Sequence, residues 1–100
     1  MTTQTQERPA GPSPGTGRRP KVAVVYARPE TALEDIARAM RLSDHTEHLA
    51  RGVQTLLKIN ISWQHYYPGC STTPWQLEGV VRALRADGYA DLVAAHNSTV

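Results

Sequence analysis

Three short apolar runs alternate with two stretches that carry helix-start signals, and this alternation limits what the chain can fold into. The runs are "KVAVVYA" (21–27), "VQTLLKINIS" (53–62) and "ADLVAAHNSTV" (90–100). The first is β-branched and apolar on both faces, as suits a strand buried in a parallel sheet. Between the first two runs, "TALEDIARAMRL" opens with Thr31 and Glu34 in capping-box spacing. Leu33, Ile36, Ala37 and Met40 then recur at helical spacing, opposite Glu34, Asp35, Arg38 and Arg41. "SDHTEHLARG" suggests a short helix from Ser43 that stops at Gly52.

Between the second and third runs, "TPWQLEGVVRALRADG" carries the clearest helix in the chain. Thr73 caps it, Pro74 takes the first turn, where a missing N–H costs nothing, and Gln76 completes a second capping box. Leu77, Val80, Val81 and Leu84 form one apolar stripe, and Gly88 ends the helix. The order expected is β-α-β-α-β: an α/β fold with an open parallel sheet of three-layer type, joined by right-handed crossovers. Three strands make a thin sheet with an uncovered edge. The expectation is therefore an incomplete, N-terminal portion of a larger α/β domain, truncated after its third strand.

Composition narrows the function classes. Residues 1–20, "MTTQTQERPAGPSPGTGRRP", are expected to be a disordered tail, because so few apolar groups cannot offset ordering entropy. Residues 21–100 then form the partial domain. A net charge of +2 with scattered Lys and Arg does not indicate a nucleic-acid surface. No apolar run approaches the ~20 residues of a membrane span. Arg18-Arg19 precedes an apolar run too short for a signal peptide, and a lone Cys70 suits a reducing compartment, so a cytoplasmic location is expected.

Ligands in open parallel sheets sit beyond the carboxyl ends of the strands. The segment after the first run has no glycine-rich turn, and no P-loop pattern occurs, so neither nucleotide fingerprint is present. The segment after the second run, "SWQHYYPGCSTT", is the informative one. Lys58 and Asn60 alternate with apolar neighbours and so share a face near a strand end. With Thr72, Thr73 and the helix start at Pro74, they make a candidate site for a small anion such as a carboxylate or phosphate. The competing reading is that Lys58 and Asn60 face solvent and Thr73 only caps. His45, His48, His65 and Cys70 are the residue types of a zinc set, but their spacing matches no zinc pattern, so no metal site is assigned. A Cys70–histidine nucleophilic pair lacks an activating helix start. Trp63, Tyr66 and Tyr67 read as loop packing.

Lys58-Ile59-Asn60, then Thr72-Thr73-Pro74 and "WQLEGVVRALRADGY", resemble the N-terminal part of the family called domain of unknown function 362. That family has a strand ending in Lys-Pro-Asn, a variable loop and a Thr-His-Pro helix start. Lys58, Asn60, Thr72 and Pro74 match residue by residue, and the resemblance runs over about Lys21 to Val100. Ile59 stands where the family has proline, and His96 or Asn97 where it has an acidic residue. The resemblance implies a larger fold and no defined reaction. Iron–sulfur clusters, common in the family, need cysteines that one Cys70 cannot supply. Two functions are thus expected: binding of a small anionic ligand, or a non-catalytic interaction module whose sheet edge pairs with a partner chain or a second copy.

Overall fold

The computed structural model describes residues 19–62, 65 and 67–97. Residues 1–18 of the expected tail, Trp63, Gln64, Tyr66 and the last three residues lie outside them. The described chain is mixed α/β. A 3-10 turn (Pro29–Thr31) leads into α1 (Ala32–Leu42), a single-turn helix α2 (His45–His48), strand β1 (Thr55–Lys58), α3 (Pro74–Ala86) and strand β2 (Leu92–Ala95).

Both long helices form where the apolar spacing places them, but their starts differ. At α3 the capping box is complete: the Gln76 N–H donates to the Thr73 hydroxyl, and the Thr73 N–H to the Gln76 side chain. At α1 it is not made. Thr31 is the N-cap, but its hydroxyl donates to Asp35 Oδ2 at 2.6 Å and makes no cap bond. Asp35 also accepts from the Arg28 N–H at 3.2 Å, while the Thr31 N–H expected to meet Glu34 donates to the Arg28 carbonyl at 3.1 Å. The Thr31 hydroxyl holds the Asp35 carboxyl below the usual aspartate range against the opposing effect of burial, with lesser help from the Arg28 N–H and nearby guanidinium charge.

The end of α3 is a Schellman turn. Gly88 has φ +93°, its N–H donates to Arg85, and the Tyr89 N–H reaches back to Leu84 at 3.0 Å. That turn folds Tyr89 onto the helix, where Tyr89 and Leu84 are 3% and 1% exposed.

β1 and β2 pair in parallel, Leu56 beside Val93 and Lys58 beside Ala95. They are the whole sheet among the described residues. The expected first strand, Lys21–Ala27, does not join it. No backbone ladder bond involves it among the described residues. It is held by side chains: Ala23 and Val25, both half-buried, lie by Ile36 and Ala39 of α1, and Lys21 pairs with Asp44. The expected order therefore lacks its first paired strand, and the sheet has two strands among the described residues.

The principal packing is α1 on α3. Ile36 sits over Gly79, where a Cβ would lie 2.8 Å from Ile36 Cδ1, so only glycine allows the helices this close. Gly79→Ala is expected to lower stability by about 1 kcal/mol in urea unfolding, since overpacking of ~1–3 kcal/mol outweighs the ~1 kcal/mol gain in helix propensity. Ile36→Val, which removes Cδ1, should cost measurably less in the Gly79→Ala background than in the wild-type chain; equal costs would refute the contact. At Asp35 the folded-state pKa is depressed, so its contribution is present above the unfolded value and fades as pH falls through the folded one. In Thr31→Val the Asp35 NMR titration midpoint should rise, and an unchanged midpoint would exclude this hydrogen bond as the cause.

Candidate functional site

β1 ends at Lys58, and the chain then turns outward into the loop before α3. Asn60 and Thr72 close that loop reciprocally. The Asn60 N–H donates to Thr72 Oγ1 at 2.9 Å, and the Thr72 N–H to the Asn60 carbonyl at 2.8 Å. The Asn60 side-chain amide donates to Ser62 Oγ at 2.8 Å and to the Cys70 carbonyl. Ser62 Oγ donates to that same carbonyl at 2.9 Å. Of the four residues expected to meet an anion, Asn60, Thr72 and Thr73 thus converge at the start of α3. Their polar groups are already engaged: both Asn60 amide protons in the loop, and Thr73, 6% exposed, in the capping box. Lys58 does not join them; its exposed ammonium donates to the carbonyl of adjacent Ile59 at 3.0 Å.

A second polar cluster lies at the far end of α3. His45 is 9% exposed and its Nε2 is 2.8 Å from Asp87 Oδ2. A carboxylate only accepts, so Nε2 carries the proton and the buried Nδ1 meets no partner. Arg51 donates from Nε to the Asp87 carbonyl at 3.0 Å and stacks 5.0 Å from the Tyr89 ring centre. The Tyr89 hydroxyl donates to the Leu49 carbonyl at 2.9 Å. This cluster ties the connection before β1 to the turn after α3. Sequence reasoning singled out only His45 here, as a metal candidate, and missed Asp87, Tyr89 and Arg51. The one available signal was an aromatic residue directly after the helix-stopping Gly88.

The candidate metal set does not assemble. His45 faces Asp87, while His48, His65 and Cys70 are exposed. Among the described residues no group of three or more His, Cys, Asp or Glu is placed to hold a metal. No helix among them is long and apolar enough to cross a membrane.

A groove of about 640 Å³ lies elsewhere: beyond Ala27, between the starts of α1 and α3. Pro29, Leu33 and Trp75 form its apolar part, and Glu30, Glu34 and Glu78 outnumber Arg28 around it. Such a rim repels anions, and neither Lys58, Asn60 nor Thr72 lines it. The carboxylates have local roles: Glu30 and Glu34 complement the positive end of the α1 region, and Glu78 pairs with Arg82 at 2.7 Å.

Comparison with protein-family models, with curated proteins and with solved structures finds no match to this chain.

Two substitutions separate the clusters. Asp87→Ala leaves the His45 Nε2–H buried without an acceptor and should cost about 1–3 kcal/mol in urea unfolding. Asn60→Ala should cost about 1 kcal/mol and speed amide exchange at Ser71 and Thr72, leaving Tyr89 unaffected. Wild-type stability in either variant would deny that cluster its structural role.

Proposed function

We propose that this chain is an interaction module whose sheet is completed by a partner strand along Lys21–Ala27. The observation that carries this is the exposure of Val22, Val24 and Tyr26, at 86%, 70% and 90%, on a segment without ladder bonds among the described residues. Large apolar side chains so exposed mark a surface that meets another molecule. Val93 and Leu56, neighbours in the ladder register, are also exposed, at 38% and 65%, so the sheet face carrying them is bare as well. With its partner in place, Lys21–Ala27 gains the backbone pairing expected of a first strand.

Binding of a small anion at Lys58, Asn60, Thr72 and Thr73 is the second reading, favoured by the convergence of three of these residues at a helix start. A phosphate- or carboxylate-dependent rise in melting temperature that Lys58→Ala abolishes is its expected signature; identical responses in both proteins would remove it. The relation to the domain of unknown function 362 family, with its larger fold, belongs to this second reading.

For the interaction module, the triple variant Val22→Thr, Val24→Thr, Tyr26→Thr should keep the wild-type unfolding free energy to within about 0.5 kcal/mol per site at low protein concentration. It should also bind less of an apolar fluorescent dye. A loss of several kcal/mol would place these side chains in the chain's own core and overturn the reading.

A further inference from the structure

We propose that the strand completing Lys21–Ala27 comes from a second copy of this chain, paired antiparallel about a two-fold axis through Val24. This rests on Lys21–Ala27 being an open strand, as argued above, and goes further by naming the occupant.

The first support is the composition of the run. Val22 to Ala27 holds no charged residue, no glycine and no proline, the pattern of segments that pair with their own kind. Sheet edges are ordinarily guarded by an outward lysine. Here the adjacent Lys21 is bound to Asp44 of its own chain, so it presents no free charge to repel an identical run.

The second support is symmetry. Pro20 stands four residues before Val24 and Arg28 four after it, so the pairing run is bounded evenly about its centre. Antiparallel pairing sets Val22 opposite the partner's Tyr26, an aromatic–β-branched pair of the kind that stabilises sheets. Ala23 then meets the partner's Val25 on the side that already lies against α1. Both copies keep their helices on one face, and the two-fold contact closes on itself. The size sets the strength: a contact confined to one strand falls at the small end of specific interfaces, so the dimer is reversible and concentration-dependent.

In a Cys70→Ser background, Val24→Cys places two cysteines face to face on the axis, and mild oxidation should give a disulfide-linked dimer. Val22→Cys alone should not cross-link, but mixed with Tyr26→Cys it should. Sedimentation of the otherwise unaltered chain should show a monomer–dimer equilibrium, weakened roughly tenfold by Val24→Lys, which sets like charges opposite each other. Cross-linking as efficient at Val22→Cys alone as at Val24→Cys, or open-ended assemblies in place of a dimer, would overturn the proposal. A monomer at every concentration would also overturn it. If that monomer leaves Lys21–Ala27 unprotected from amide exchange, the open strand survives and only the second copy falls; if it protects them, both fall.

Discussion

The rest of the structure depends on the close approach of two helices at Gly79. With no side chain there, Ile36 of α1 settles directly against the backbone of α3. That contact joins the two long helices into one packed pair. The first turns of α1 and α3 flank the groove beyond Ala27, and Ala23 and Val25 lie by Ile36 and Ala39 of α1. Leu56 of β1 remains exposed in a fold this small.

A core this thin needs other ties. Among the described residues Leu84 is the one large side chain fully buried, and it is buried because the Schellman turn at Gly88 folds Tyr89 onto it. Polar contacts then hold the connections. Asn60 and Thr72 lock the loop into α3, while His45–Asp87 and Tyr89–Leu49 anchor the segment entering β1 at the other end of the same helix. α3 is thus fastened at both ends. Lys21–Ala27 lies outside this system; among the described residues it is joined by the Lys21–Asp44 ion pair and the half-buried Ala23 and Val25.

Much of this was legible in the residues. The apolar stripe and paired caps of α3 depend on neighbours within one or two turns, and the structure shows them as read, including Thr73 with Gln76. The stripe of α1 was equally plain, but not its start: Thr31 had two acidic candidates, and spacing alone does not decide between Glu34 and Asp35. Lys21–Ala27 has the composition of a buried strand, yet whether a strand is paired depends on what lies beside it, which no local pattern records. At the candidate site, the residue types at the corner were visible and their engagement with one another was not. Asn60 reads as a free amide until the loop returns Cys70 to within reach of it. His45 and Asp87 are far apart in the chain, so their pairing left no trace in any motif.

The claim that joins these points is that Lys21–Ala27 is a strand without a neighbour in the isolated chain. Amide hydrogen exchange resolved to single residues, on protein dilute enough to be monomeric, tests it most directly. Because exchange protection follows backbone hydrogen bonding and burial, Leu57 and Val93 should be protected to near the global stability, while Val22 to Tyr26 exchange at close to unfolded rates. Protection of Val22 to Tyr26 equal to that of Leu57 would contradict the account, since it would show the strand already paired within its own chain.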